Sequence, residues 1–439
     1  MDALAGISQR LLARARELGA SQAEVTCSEE RGLDVNVRMG EVETVESTRD
    51  RGIGVTVYFG QRKGSASTAD LHDASLEATV AQACAIARYT EDDPAAGLAD
   101  AALMASRFPD FDSWHPWTLD AQQAVAIALA CEVAGREADA RISNSDGASF
   151  GSSQSLSVYA NSHGFVGRER DTHHSIGCAL IAGQGDGMQR DGWYTSALAR
   201  EDLCSAAEVG RRAAERTVAR LQPRSLATGE YPVLFAPEIA RSLVGHLLGA
   251  ISGGALYRKA SFLLDSAGTR LFPEWLSIDE RPHLRRGLRS TAFDGEGVAT
   301  QASSPLVAGG VLQRYVLGSY SARKLGLRST ANAGGVHNLQ VSANAGDLAS
   351  IIAGLPRALL VTELMGQGVN GVTGDYSRGA GGFWIENGAI AYPVDGVTIA
   401  GNLRGMFDAI EAVGSDVDVR SHIGIGSVLI GRMTVAGEH

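Results

Sequence analysis

Residues that could hold a catalytic metal are sparse and poorly spaced in this sequence of 439 residues. A zinc site on a helix needs two ligands on one face, usually one turn apart, with a carboxylate base nearby. The predicted helix 237–251 offers Glu238 and His246. These residues lie about 12 Å apart along the axis, at roughly 1.5 Å per residue, and cannot share one ion. We therefore expect His246 at the surface or at a polar interface.

Nucleophilic and phosphate-binding motifs are also weak. The segment GAISGG at 249–254 comes near the G-x-S-x-G pattern of a strained serine nucleophile, but it follows a helix instead of preceding one. Ser252 is better explained as part of a glycine-rich helix end. The sequence contains no Walker loop, and the glycine-rich stretch 366–382 leads into a strand, unlike a dinucleotide-binding loop.

The glycine-rich segment 366–382 is nevertheless a candidate binding element. It is expected to join the strand 359–365 to the strand 383–388. Glycines allow close approach of the backbone, and free N–H groups can line the path of a ligand. The segment is either a peptide-contacting loop or a wide structural loop, and its pattern fits both. The residues predicted to contact a peptide are Gly366, Gln367, Gly368, Asp375, Tyr376, Ser377 and Arg378.

The elements that would position these residues are mostly strands, with a few separate helices. Residues 25–67 alternate polar and apolar side chains around turn signals such as Met39-Gly40, which predicts an antiparallel meander. Asn387-Gly388, between two apolar runs, is the strongest short hairpin signal. Helical periodicity occurs near the N-terminus and in the ranges 74–89, 119–139, 201–221 and 237–251. This separation predicts an α+β fold rich in antiparallel sheet, rather than a doubly wound α/β fold.

A change of pattern near residue 225 predicts a domain boundary. The stretch 222–232 follows neither the helical nor the strand period and contains Pro223, Gly229 and Pro232. We expect an N-terminal α+β domain over 1–225 and a mostly antiparallel β domain, with the helix 237–251, over 226–439.

Composition narrows the classes of function. The chain has 39 Lys and Arg against 50 Asp and Glu, a net charge of −11, and no basic block, so direct nucleic-acid binding is not expected. Five widely spaced cysteines without a C-x-x-C pair predict neither a disulfide framework nor a zinc ribbon, and favour a reducing compartment. No apolar run approaches the roughly 18 residues that a membrane span needs, so no membrane association is expected.

Several long segments resemble one known family. The second half closely resembles the TldD/PmbA metallopeptidase family, once described as modulators of DNA gyrase, and the first half resembles the N-terminal domain of the same family. The resemblance is carried by the segments 245–268, 290–298, 319–338 and 362–403, and in the first half by 38–46 and 52–71.

The resemblance implies two domains per subunit and a cytoplasmic heterodimer of a TldD-type and a TldE-type subunit. The assembly implied is a zinc peptidase that cleaves unfolded or flexible peptides, with links to peptide maturation and antitoxin turnover. In this family the TldD-type subunit holds zinc through an H-E-x-x-x-H motif on a helix and a later cysteine.

This sequence departs from the family motif at each metal ligand. An ungapped placement puts Pro237 at the first histidine, Glu238 at the glutamate and Ser242 at the second histidine, and residues 205–439 contain no cysteine. A lone glutamate has no metal-bound water to activate. The resemblance therefore implies a TldE-type subunit with no catalytic residue and no metal of its own, zinc being held by the TldD-type partner.

Three functions follow from these observations. In the first, the chain is a non-catalytic subunit that helps to enclose a cavity and holds an extended peptide by main-chain pairing. In the second, it is an interaction protein that modulates DNA gyrase without proteolysis. In the third, it is an independent hydrolase with an unrecognised site. When isolated, the chain could also form a homodimer through the face that it offers to its partner.

Overall fold

A computed structural model describes residues 1–437 as an α+β protein rich in antiparallel sheet, which confirms the predicted fold class. The first half contains α1 (Asp2–Glu17), β1 (Gln22–Arg38), β2 (Glu41–Phe59), β3 (Arg62–Thr68), α2 (Asp73–Tyr89), α3 (Ala121–Arg136), β4 (Ile142–Asn161), β5 (Val166–Ala182), β6 (Gln189–Ala197) and α4 (Ala206–Ala219). The second half contains β7 (Gly229–Phe235), α5 (Pro237–Ala250), α6 (Gly253–Tyr257), β8 (Ile278–Glu280), β9 (Ser304–Ala308), β10 (Val311–Leu312), α7 (Ser319–Leu325), β11 (Leu339–Val341), α8 (Leu348–Ala353), β12 (Arg357–Met365), β13 (Asp375–Glu386), β14 (Ala389–Asn402), α9 (Leu403–Asp408), β15 (Ile410–Val413), β16 (Ile423–Gly424) and β17 (Val428–Ala436).

The predicted boundary near residue 225 falls between α4 and β7 and stays a prediction. The last two residues of the predicted second domain, 438–439, lie outside the described residues.

One long antiparallel sheet organises the first half. Its strand order is β3-β2-β1-β4-β5-β6. The predicted turn at Met39-Gly40 is confirmed, and both residues have positive φ, at 54° and 82°, as a tight hairpin with the right twist requires. β1 has 17 residues, or about 56 Å at roughly 3.3 Å per residue, so a single sheet is long enough to carry two separate cores.

Two helix pairs cover the two ends of these long strands. Helices α1 and α2 pack on one end, where Val25 and Val55 are buried among their leucines and alanines. Helices α3 and α4 pack on the other end, around Val35 and Phe150. Side chains two residues apart on a strand face the same side, so the alternating apolar positions in the sequence build both cores.

Two helices begin later than the sequence predicted, because a polar side chain caps each one. α3 begins after Asp120, whose carboxylate accepts a hydrogen bond from the backbone N–H of Gln123. α4 begins after Ser205, whose hydroxyl accepts from the N–H of Glu208. Each cap satisfies a backbone donor that the first helical turn leaves free, and this fixes the start of the helix.

The second half is built around a ring of strands. A six-stranded sheet has the order β14-β13-β12-β7-β17-β15, and β14 also pairs with β17, which closes a ring of five strands. The pairing of β7 with β12 is parallel, an exception to the antiparallel arrangement predicted. A smaller sheet has the order β10-β9-β8-β11-β16. The predicted hairpin at Asn387-Gly388 is confirmed, again with positive φ at both residues.

Arginines join the two halves of the chain. Arg286 reaches from the second half to Asp112 and Asp202, and Arg323 donates to the backbone carbonyls of Ala95 and other residues of the first half. Guanidinium groups suit such contacts because they donate several hydrogen bonds in a fixed geometry. Across residues 1–437, no helix is both long enough and apolar enough to cross a membrane.

Candidate functional site

Helix α5 carries the positions that the ungapped placement of the sequence assigns to the family's metal-binding motif. It follows β7 directly, and Pro237 occupies its first turn, where the missing N–H costs no hydrogen bond. Leu243 and Leu247 are buried in the core of the second half. The helix is therefore firmly held, and the site positions Glu238 and Ser242 have defined surroundings.

The donor set at these positions does not fit zinc. Pro237 has no lone pair to offer, and the hydroxyl of Ser242 donates a hydrogen bond of 2.7 Å to the carbonyl of Ile239 in its own helix. The five cysteines lie at or before Cys204, and four of them are buried. Within the range 1–437, no three His, Cys, Asp or Glu side chains are grouped so as to hold a metal ion. A catalytic zinc site needs three protein ligands, and this helix does not supply them.

The remaining carboxylate of the motif is already engaged. Arg216 of α4 donates to Oε1 of Glu238 at 2.7 Å, and both side chains are largely buried. Arg216 also lies 3.4 Å from Asp191, and its guanidinium carbon sits 5.1 Å from the ring centroid of Trp193. Glu238 therefore contributes to the contact between the two halves of the chain. A carboxylate held in this way is not placed to act as a base.

The glycine-rich loop is shorter than predicted. β12 ends at Met365 and β13 begins at Asp375, so the loop spans only 366–374. The later glycines belong to β13, whose register is interrupted once against β12 and twice against β14. A Cβ on Gly382 would lie 1.9 Å from the carbonyl oxygen of Leu360, so close strand packing explains that glycine.

The structure separates the predicted peptide-contacting residues into three groups. Four of them, Gly366, Gln367, Gly368 and Ser377, are exposed. Asp375 is exposed too, but its carboxylate accepts hydrogen bonds from Thr373 and Asn402, which brace the loop. These bonds, with the one from Thr373 having the larger effect, hold the pKa of Asp375 below its usual range.

The other two residues face inward. Tyr376 is only 1% exposed, and Arg378 is half-buried. A direct role of Tyr376 in a surface contact is therefore incompatible with its position. The assignment of the remaining residues to peptide binding stays a prediction.

A small cavity lies between α5 and the loop. Its volume is about 270 Å³, and His246, Gly249, Phe262, Gln367 and Arg378 contribute to its walls.

His246 was expected at the surface or at a polar interface; its side chain is half-buried and lines this cavity beside Gln367 and Arg378. Its ring packs edge-on against the ring of Tyr376, with centroids 5.8 Å apart, and its Nε2 atom is buried. Helical spacing did place His246 one turn after Ser242. No local signal showed that Tyr376, 130 residues further along the chain, would pack against it.

A second, larger cleft separates the two halves. It has a volume of about 710 Å³, and Glu169, Asp294 and His337 are among its lining residues. Burial raises the pKa of Asp294 to about 6, although its oxygens accept hydrogen bonds from three backbone N–H groups. These bonds brace the turn 294–298, so we interpret Asp294 as structural.

Comparison with known proteins places the whole chain in one group. Models of the PmbA/TldA metallopeptidase match it in three parts, as domain 1 over 23–87, the central domain over 114–221 and the C-terminal domain over 228–437. The chain is 46% identical to the metalloprotease PmbA of Escherichia coli, over 100% of this chain and 98% of that protein. It is 47% identical to a PmbA homologue of Haemophilus influenzae, over 96% of this chain and 94% of the relative.

Solved structures share the fold. A protein of Bacteroides thetaiotaomicron described as a candidate modulator of DNA gyrase superposes with a TM-score of 0.95, at 27% identity and with 100% of both chains covered. TldE of Thermococcus kodakarensis superposes with a TM-score of 0.85, at 20% identity, over 98% of this chain and 100% of that one, which is a likeness of fold. The chain belongs to the TldD/PmbA metallopeptidase family, as the resemblance of its sequence predicted.

Proposed function

We propose that this chain is the non-catalytic, TldE-type subunit of a heterodimeric zinc peptidase that degrades unfolded or flexible peptides. The observation that carries the proposal is the chemistry of helix α5. Pro237 and Ser242 occupy the two histidine positions, and Glu238 is ion-paired with Arg216. A subunit that keeps the fold but lacks the ligands cannot supply a metal-bound water, so hydrolysis must depend on a TldD-type partner that holds the zinc.

The role proposed for this subunit is to hold and enclose the peptide. β3 pairs only with residues 53–59 of β2, so the edge along 41–52 has no neighbouring strand in the described part of the chain. Residues 41–50 are exposed along this edge. An open edge of this kind can pair with an extended chain through backbone hydrogen bonds. Such pairing tolerates many sequences, as degradation of flexible peptides requires.

The proposed location is the cytoplasm. The five cysteines are free thiols, and burial raises the pKa of Cys27 and Cys84, which keeps these thiols protonated. A chain whose cysteines are mostly buried and unpaired suits a reducing compartment. Cell fractionation with an antibody against the chain tests this location directly.

The test of the proposed function measures metal content and peptidase activity separately. The purified full chain should contain no stoichiometric zinc and should not cleave an unstructured reporter peptide. Adding a TldD-type partner that carries H-E-x-x-x-H should produce cleavage, and a partner lacking the glutamate of that motif is the matched control. Tight binding of one zinc per chain, or cleavage by this chain alone, would overturn the proposal and favour an independent hydrolase.

The alternative role as a modulator of DNA gyrase makes a different prediction. It requires an effect on gyrase supercoiling when the chain is added without a TldD-type partner. The net charge of −11 favours contact with protein over contact with DNA in that case. Under our proposal the chain alone has no effect on supercoiling.

A further inference from the structure

The cavity between α5 and the loop 366–374 is lined by both polar and apolar side chains. His246 and Arg378 contribute polar groups to its walls, and Phe262 and Leu403 contribute apolar ones. Its volume of about 270 Å³ is below the roughly 300–1,000 Å³ of pockets that hold drug-sized molecules. The cavity therefore suits a group of a few atoms, such as the end of a peptide or one side chain.

Two buried polar atoms at this place have no hydrogen-bond partner among the described residues. They are Nε2 of His246 and the hydroxyl of Tyr376, whose rings pack against each other. Most buried polar atoms in folded proteins are paired, because an unpaired buried polar atom has lost its hydrogen bonds to water without replacement. Of the two residues, only His246 lines the cavity, so its imidazole is the neutral polar group that a ligand there could reach.

The charge beside these atoms is positive. The Nε atom of Arg378 makes only a long hydrogen bond of 3.4 Å to the carbonyl of Met365. None of the 29 ion pairs within 4.0 Å in the described part of the chain involves Arg378. A half-buried guanidinium without a carboxylate partner attracts an anion, and it pairs best with a planar carboxylate.

The protonation states agree with this arrangement. Burial, followed by the charge of Arg378, lowers the pKa of His246, so the imidazole is neutral near pH 7 and can donate one N–H. Burial raises the pKa of Tyr376 to about 12, so its hydroxyl keeps its proton. The cavity wall thus combines the cation Arg378 with the neutral imidazole of His246.

We propose that this cavity binds a carboxylate of the peptide held by the subunit. Arg378 pairs with the carboxylate, His246 donates a hydrogen bond to it, and the apolar wall at Phe262 contacts the adjoining side chain. This inference rests on the proposed peptide-holding function and adds to it the chemical group that is recognised. The carboxylate belongs either to the C-terminus of the peptide or to an Asp or Glu side chain, and the experiment separates the two.

The experiment measures binding of labelled peptides to the purified full chain by fluorescence anisotropy. The probes are three versions of one flexible Gly/Ala/Ser/Lys peptide: a free C-terminal acid, the C-terminal amide, and the amide with one internal Glu. We expect the free acid, the Glu-containing amide, or both to bind at least about tenfold more tightly than the plain amide, as a charge-assisted pair predicts. Equal binding of all three probes, or no binding at millimolar concentration, would overturn the proposal.

Variants of the chain test the residues. Arg378→Gln should remove most of the preference for a carboxylate, and His246→Phe, which keeps a ring against Tyr376, should weaken it by about threefold. The matched control is Arg404→Gln, because Arg404 is exposed and does not contribute to the cavity walls. A preference that survives Arg378→Gln in a folded variant would refute the assignment. The proposed function fails separately, by absence of cleavage with a TldD-type partner, whatever the peptides show.

Discussion

Removal of the Glu238 carboxylate tests whether this residue is structural. Glu238 accepts a hydrogen bond of 2.7 Å from Arg216, and their side chains are 16% and 23% exposed. A hydrogen bond to a charged group in such surroundings contributes about 1.5–3 kcal/mol. We expect Glu238→Ala to lower the free energy of unfolding by about that amount, and Glu238→Gln by about half, because the amide still accepts the hydrogen bond.

The assay combines urea unfolding with hydrogen exchange. Exchange measured by mass spectrometry should increase in the helices 206–219 and 237–250, which the pair connects, and much less in the strands 22–59. The matched control is Glu386→Ala. Glu386 pairs with Arg357 at 3.6 Å in an exposed position, so its removal should cost less than about 1 kcal/mol.

The same variants separate a structural role from a catalytic one. Loss of a general base lowers kcat by about 10²–10⁴. We expect the complex of Glu238→Gln with a TldD-type partner to keep kcat within about twofold of the unmodified complex. A fall of a hundredfold or more with unchanged stability would refute our interpretation of Glu238.

Three other changes have defined outcomes. Burial, followed by nearby cations, lowers the pKa of His422 to about 4. Between pH 6.5 and 4 the unfolded chain therefore binds more protons than the folded chain does. The free energy of unfolding should fall by about 3 kcal/mol as the pH falls through that window. Urea titrations should show a weaker pH dependence for His422→Gln, and an unchanged slope would contradict this. Tyr376→Phe removes a buried hydroxyl that has no hydrogen-bond partner and should not destabilise the chain. Tyr159→Phe loses a 2.8 Å hydrogen bond to a carboxylate and should lower the melting temperature. An equal fall in melting temperature for the two variants would contradict this. Gly382→Ala places a Cβ 1.9 Å from a neighbouring carbonyl oxygen and should cost about 3 kcal/mol, whereas Gly371→Ala meets open space and should be nearly neutral in the same unfolding assay.

Local features of the fold could be predicted from the sequence because they depend on neighbouring residues. The turns at Met39-Gly40 and Asn387-Gly388 contain Gly40, Asn387 and Gly388, which are residue types that accept positive φ, although Met39 is not one of them. The helix predicted over 237–251 is present as Pro237–Ala250, since its apolar spacing and proline at the first turn are local signals.

Features that join distant parts of the chain could not be predicted in this way. The pairing of β14 with β17 closes the strand ring, and the parallel pairing of β7 with β12 joins residues more than 120 positions apart. Hydrophobic period specifies which face of a strand is buried but not which strand lies beside it.

In the candidate site, too, local features could be predicted from the sequence and contacts between distant residues could not. Its motif positions on α5 could be read from the sequence, including the mismatch with zinc. The ion pair of Glu238 with Arg216 and the packing of His246 on Tyr376 depend on tertiary contacts and were missed. The start of β13 was missed as well, because glycines inside a bulged strand have the same composition as a loop.

The location of the metal in the assembled complex tests the central claim most directly. Anomalous scattering at the zinc absorption edge, from crystals of this chain with a TldD-type partner, would show where the ion is bound. Our account predicts one zinc per heterodimer, bound by the partner's H-E-x-x-x-H helix. A zinc peak at the start of α5, next to Glu238 and Ser242, would contradict it.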